Sequence, residues 1–261
     1  MKTIKKEELI KRLKKKVFDY CMLLPIIENG EGIERIECYA SESSNDNFLC
    51  YIRYYDGVET MDIHCNRDGQ REMLVQIENM KNKGYFSKGC FVALYEYDGL
   101  LNDLLKLYKI DTFEYIESFH STKKARKALV YGKAKFTENR EYIQDEDFVN
   151  QNGNHIKILE REQNIDYENN RIIYLILEEK IIGYIALKRQ YEKIWDVAYI
   201  FIDEKYRNHG YATLLCYEAI QSLSSNESTL FYSYCENEAS RAVAKKSGLI
   251  SCAKRYVFKF V

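Results

Sequence analysis

Arg207-Asn208-His209-Gly210-Tyr211-Ala212 joins the apolar run Tyr199-Ile200-Phe201-Ile202-Asp203 to a segment with helical spacing. In that segment Ala212, Leu215, Ala219 and Leu223 recur at intervals near one helical turn. A helix leaves its first N–H groups without intrahelical partners, and its macrodipole makes that end positive. A pyrophosphate satisfies both conditions. Gly210 lets the backbone come close to the phosphates and take a positive φ. Ala212 leaves the first turn unobstructed, and Arg207 adds a fixed positive charge that a diphosphate favours. Arg207, Asn208, His209, Gly210, Tyr211 and Ala212 are therefore candidate phosphate ligands. A glycine in a turn also serves plain bending, and the turn alone leaves that reading open.

The flanking segments give the turn a context. Residues 172–177 form an apolar strand, 178–180 a tight polar turn and 181–187 the returning strand of an antiparallel hairpin. A third strand covers 195–202. After the helix at 211–223, 229–235 has strand composition and 238–246 is a short helix stopped by Gly248. Residues 255–260 alternate apolar and charged, as a half-buried strand does. The order is β-β-β-α-β-α-β.

The first half is a mixed α/β unit. A helix is expected over 6–20, with Ile10, Leu13 and Val17 on its buried side and the lysines solvated. Strands are expected at 33–40, 48–55 and 58–64, the last two joined by the hairpin signal Asp56-Gly57. A helix over 70–81, a strand over 91–97, a helix over 100–108 and a strand over 112–119 follow. The stretch 120–135 is basic, and 137–155 is polar enough for a surface helix and loops. The expected division is 1–125 and 126–261.

Composition excludes several classes. Of 261 residues 46% are hydrophobic, so a sizeable core can be buried. The 39 Lys and Arg nearly cancel the 40 Asp and Glu, which gives no footprint for nucleic acid or an acidic membrane. No window approaches the apolar length of a membrane span, and the short run 21–27 lacks a signal-peptide cleavage site. The single Pro argues against long linkers. The eight Cys form no C-x-x-C pair and suit reduced, mostly buried thiols of a cytoplasmic protein. His64-Cys65 is the only adjacent pair of zinc-type ligands, and a structural zinc needs four converging ligands, so no metal is expected.

Residues 199–212 resemble the R/Q-x-x-G-x-G/A signature of the GNAT superfamily of N-acetyltransferases and the strand that leads into it. Glu204-Lys205-Tyr206 fills the slot before it, with Glu204 replacing the common Pro. A second segment, Tyr234 to Leu249, resembles the family's later N-x-x-[SA] helix and closing Gly-Phe. Asn237, Ser240 and Gly248 match in place, and Leu249 stands where Phe is usual. The resemblance covers roughly 130–261. It implies an α/β (α+β) fold, a mixed, mostly antiparallel sheet flanked by helices. The first half has a similar element order, that of a degenerate GNAT-like unit which would shape the acceptor cleft without binding coenzyme A.

The resemblance further implies acyl transfer from acetyl-CoA or another acyl-CoA to a small-molecule amine or a peptide amino group, by direct attack and without a metal. It places the pantetheine arm along the strand at Phe201 and Ile202, with Asn237 and Ser240 as further cofactor contacts. Asn237 also suits a plain helix N-cap. Asp196, Tyr199 and Tyr234 are the catalytic candidates by position. Many members protonate the leaving thiolate with a Tyr where this chain has Ala244, so a catalytically silent acyl-CoA-binding or regulatory protein is the alternative. A monomer or a homodimer is expected.

Overall fold

The computed structural model describes all residues except 43, 45, 87–88, 96–97, 122–133 and 139–167. The chain forms two compact units. The first comprises Met1–Ser118, Tyr234–Glu236 and Cys252–Val261, and the second Phe119–Ser233 and Asn237–Ser251. A boundary near 125 falls outside the described residues.

In the first unit, β1 (Lys2–Ile4) pairs with β2 (Ile33–Ala40), and β2, β3 (Phe48–Tyr54) and β4 (Glu59–His64) form an antiparallel meander. Helix α4 (Gln70–Asn82) leads to β5 (Cys90–Tyr95), which is parallel to β4. Helix α5 (Asp98–Leu107) and β6 (Ile110–His120) follow. The core between sheet and helices holds Leu49, Met61, Ile63, Met73, Ile77, Leu94, Leu104 and Phe258. Burying each such side chain stabilises the fold by about 1.5–3 kcal/mol, as an upper estimate.

The N-terminal helix departs from expectation. It breaks into α1 (Lys6–Leu13), a 3₁₀ turn (Lys14–Lys16) and α2 (Val17–Tyr20), and α3 (Leu23–Asn29) follows. Lys16, the last of three consecutive like charges, leaves helical geometry at φ −132°, ψ 54°. The apolar run 21–27 is helical from Leu23 onward, and Pro25 is tolerated because it lies in the first turn of α3, where no i−4 hydrogen bond is required. The buried stripe of α1 is Leu9 and Leu13, whereas Ile10 is half-buried.

The 3₁₀ turn Arg67–Gly69 that leads into α4 is capped from inside, whereas α4 itself has no side-chain cap among the described residues. Asn66 Oδ1 accepts the Gly69 N–H at 3.2 Å and a bond from Asn47 Nδ2 at 3.0 Å. Asn47 Oδ1 in turn accepts the Asn66 N–H at 2.8 Å, and Asn47 is fully buried. A Cβ on Gly69 would lie 2.2 Å from Asn47 Nδ2, so glycine is what admits the plug.

In the second unit, β7 (Lys135–Glu138), β8 (Asn170–Leu177), β9 (Lys180–Tyr191) and β10 (Ile194–Ile202) are antiparallel neighbours. Helix α6 (Tyr211–Ser222) leads to β11 (Ser228–Tyr234), parallel to β10, and α7 (Glu238–Lys246) follows. The surface helix and loops expected from 139 onward lie outside the described residues. β8 is apolar on both faces: Ile173 and Leu175 enter the core shared with α6, and Ile172, Tyr174 and Ile176 lie on the other side. That accounts for its continuous apolar run. The Ser247 hydroxyl donates to Val243 O at 2.8 Å and to Thr213 O at 3.1 Å, tying α7 to α6.

The last strand, β12 (Ile250–Phe260), follows the elements of the second unit in sequence. From Arg255 onward it pairs antiparallel with β5 of the first unit. The two units share one local order, three antiparallel strands, a helix, then a strand parallel to the third.

Trp195 is buried at the start of β10, with Arg171 and Arg189 over its ring at 4.6 and 4.9 Å. Its indole N–H donates to Glu227 Oε1 at 2.8 Å. Partial burial pushes the Glu227 carboxyl up. The Ser224 hydroxyl and amide, the Trp195 indole and the Arg171 charge outweigh that and hold it at about 2.

Two outcomes are expected. A carboxyl whose folded pKa is depressed stabilises above its unfolded value near 4.3, and that stability is lost as pH falls toward 2. Urea midpoints measured between pH 6 and 2 should therefore drop more steeply for the native chain than for Glu227→Gln. Asn47→Ala should cost about 1–3 kcal/mol in urea unfolding, because it strands the Asn66 N–H. A loss within error would mean that water replaces the plug.

Candidate active site

The site is built where β10 ends. Val197 pairs with Leu187 and Tyr199 with Ala186 on β9, so Ala198 is an extra residue, a β-bulge. A bulge bends its strand and interrupts the ladder. On its other edge β10 pairs with β11 only at Ile194–Asp196 with Ser228–Leu230. That ladder stops there, although β10 continues to Ile202 and β11 to Tyr234. The two strands thus part company beyond the bulge and leave a wedge with backbone on its β10 side.

Beyond Ile202 the chain is braced by its own groups. Asp203 N–H donates to Ile182 O at 2.8 Å, and Asp203 Oδ1 accepts from Lys205 N–H at 3.1 Å. Arg207 Nε donates to Ile202 O at 3.0 Å and its Nη1 lies 3.3 Å from Glu204 Oε1. The guanidinium is half exposed, at 51%. Asn208 and Gly210 take the left-handed conformation at φ 65° and 83°. His209 Nδ1 lies 2.7 Å from Arg207 O; a carbonyl only accepts, so Nδ1 carries the proton. Gly210 is the residue before α6, and among the described residues no side chain caps that helix. Its first-turn amides lie outside the helical ladder and begin at Tyr211, four residues along the chain from Arg207. This combination can hold a diphosphate at a positive helix end.

The corresponding parts of the first unit are closed. β3 and β4 pair from Phe48↔His64 to Arg53↔Glu59 without a register shift, and β4 and β5 pair from Thr60↔Phe91 to His64↔Tyr95, the ends of both strands. No bulge and no wedge form among these residues. Tyr20 Oη shares a 2.8 Å hydrogen bond with His64 Nδ1, and Phe48 stacks on His64 at 5.8 Å, filling the strand ends. Burial, with Lys16 nearby, pushes His64 down to about 4, against a smaller opposing pull from Asp46. The strand-to-helix join of this unit is Cys65–Gly69, plugged by Asn47. Sequence comparison had no means of finding that join, because it contains no matching glycine signature.

The predicted residues separate into groups. Arg207, Asn208, His209, Gly210, Tyr211 and Ala212 form one continuous turn at the open strand end, with Ile202 buried behind it and Phe201 half-buried. Asn237 Oδ1 accepts the Ser240 N–H at 3.0 Å, an N-cap of α7. Asp196 and Tyr199 lie on one face of β10 across the bulge, opposite Lys188 and Ala186 of β9. Tyr234 is half exposed and belongs to the first unit, where its hydroxyl reaches Glu114 Oε1 at 3.5 Å. Ala244 is fully buried in the core of the second unit. Two features escaped sequence reasoning, the extra residue Ala198 and Tyr184, whose ring stacks on Tyr199 at 5.9 Å and on Phe201 at 5.4 Å. Among the described residues no three His, Cys, Asp or Glu side chains converge as a metal site, and all eight cysteines are free thiols.

Comparisons with known proteins bear on the same region. The model of the acetyltransferase (GNAT) family matches residues 138–249. No curated protein sequence matches the chain. Among solved structures, a Drosophila protein superposes over 100% of this chain and 98% of its own, at 13% identity and a TM-score of 0.58. An acetyltransferase of the GNAT family from Colwellia psychrerythraea matches over 100% and 99%, at 15% identity and a TM-score of 0.51. A GCN5-related N-acetyltransferase from Kribbella flavida matches over 81% and 86%, at 10% identity and a TM-score of 0.51. At such identities the likeness speaks for the fold. With the family match centred on the bulged strand and its open turn, residues 138–249 are a domain of the acetyltransferase (GNAT) family.

Proposed function

We propose that the protein is an N-acyltransferase that moves an acyl group, most simply acetyl, from acyl-CoA to the nitrogen of a small amine or a peptide amino group, in the cytoplasm. The observation that carries this reading is the pair formed by the start of α6, which no side chain caps among the described residues, and the divergence of β10 from β11 after Asp196. The turn 207–212 would take the pyrophosphate. The β10 edge at Phe201 and Ile202 would pair with the amide groups of a pantetheine arm, as an added strand does. Asn237, its Oδ1 engaged as a cap, keeps its Nδ2 donor for the arm, and Ser240 starts the helix beside it.

The reaction needs an unprotonated amine, and with a pKa near 10 only about one molecule in a thousand is neutral at pH 7. Asp196 is assigned as the base, directly or through one water. The nitrogen then attacks the thioester carbonyl, the C–S bond breaks, and the proton leaving nitrogen ends on sulfur. A backbone N–H beside the bulge is the natural donor to the developing oxyanion, since the bulge frees it from the ladder. Ala244 offers no proton to the thiolate, so water serves there. Tyr234, engaged with Glu114, is not assigned a step. The first unit, with its zipped strands and plugged helix start, is assigned a non-catalytic role as a closed GNAT-like domain.

Ala244 also favours a second reading, a protein that binds acyl-CoA and transfers nothing. Thiol release with an amine panel separates the two, since a binder gives heat with acetyl-CoA and no thiol.

Gly210→Val should abolish the calorimetric signal with acetyl-CoA while circular dichroism stays native. The substituent would both block the approach and strain a backbone at φ 83°. Unchanged affinity would place the pyrophosphate elsewhere. Asp196→Asn should lower kcat by roughly 10²–10⁴-fold with acetyl-CoA affinity retained, and the loss should shrink as pH rises toward the amine pKa. A pH-independent loss would assign Asp196 a structural role.

A further inference from the structure

The face of β10 that carries Asp196 also carries aromatic rings in a row. Tyr184 on β9 is buried and stacks on Phe201 at 5.4 Å, 26° from parallel, and on Tyr199 at 5.9 Å, 28° from parallel. Tyr174 on β8 meets the buried edge of Tyr184 at 6.5 Å. The ladder is anchored by the buried cluster of Ile172, Tyr174, Ile176, Ile181, Tyr184 and Ala186. Its outer member, Tyr199, is 44% exposed. A large aromatic side chain that is held rigid by stacking and still presents this much surface beside the bulge is a preformed binding surface.

Register fixes its distance from the base. Asp196 stands opposite Lys188 and Tyr199 opposite Ala186, two residues apart on β9. Two residues of strand span about 7 Å. A carboxylate and an exposed ring separated by that length on one face match a molecule with a cationic nitrogen at one end and a flat apolar group at the other, joined by a short alkyl spacer. Lys188 on the same face, opposite Asp196, would repel a second cation at the nitrogen end and disfavours polyamines.

We propose that the acceptor is an arylalkylamine whose ring lies on Tyr199 and whose nitrogen is held at Asp196. The proposal rests on the acyltransferase reading above. The ammonium gives one proton to Asp196, the nitrogen forms the amide bond as the thioester C–S bond breaks, and its second proton goes to the thiolate. Tyr199 is then a specificity-determining residue, acting through its ring rather than its hydroxyl.

The test compares 2-phenylethylamine with n-butylamine in thiol release from acetyl-CoA by the full chain, with rates referred to the concentration of neutral amine. The expected result is a kcat/KM at least roughly tenfold higher for the aryl amine, carried by KM. Tyr199→Ala should reduce that ratio to within about threefold, and Tyr199→Phe should restore it. Equal rates for the two amines, or a preference that survives Tyr199→Ala, would overturn the proposal. If acetyl-CoA itself gives no calorimetric heat, the transferase reading fails separately. Saturation-transfer NMR with 2-phenylethylamine alone then decides the platform. Transfer to its ring protons that Tyr199→Ala removes supports it, and absence of transfer overturns it.

Discussion

One extra residue in β10 separates the open strand edge of the second unit from the fully paired strands of the first. Ala198 shifts the register against β9 by one position, bends the strand and ends its pairing with β11 after Asp196. The ladder given up there is a real cost in hydrogen bonds, and backbone groups at such an opening need other partners. A ligand with its own amides can supply them. The turn at 203–210, the left-handed Gly210 and the uncapped helix all follow from where that bent strand delivers the chain. The aromatic row on the opposite side also depends on it, because the bulge returns Tyr199 and Phe201 to the face of Asp196.

The first unit serves as an internal control. It has the same local order of strands and helix and the same parallel pairing of its third and fourth strands. There the ladder runs to the last residues, Tyr20, Phe48 and His64 fill the space beyond, and Asn47 with Asn66 fills the turn that leads into the helix. One architecture therefore supports two outcomes, set by a handful of local choices. Topology is common to the two units; the pairing along one strand edge is what differs.

Much of this was legible in the sequence, for identifiable reasons. Gly210 in a polar turn between an apolar strand and a 3.6-residue pattern is a local signal, and local signals survive translation into structure. So did the hairpin at 172–187 and the helix expected at 70–81, which runs to Asn82. The bulge was not legible, since Val197-Ala198-Tyr199 contains no glycine and register depends on a neighbour. The plug at α4 joins Asn47 to Asn66 across 19 residues, and no periodicity encodes that pairing. The N-terminal helix failed at Lys14–Lys16, where apolar spacing continued but like charges and a tertiary turn prevailed. The stacking of Tyr184 on Tyr199 and Phe201 joins two strands, so composition could show only that tyrosines abound.

The placement of β12 has a consequence for how the molecule is made. Residues 255–260 hydrogen-bond to β5, yet they are synthesised after everything in the second unit. In the strand order of the first unit, β12 separates β5 from β6, which are close in sequence. The strands before residue 119 must therefore wait, with an unfilled slot in their sheet, until residues 255–260 have been synthesised. Folding in order of emergence is denied to this unit, and the second unit is free to fold first.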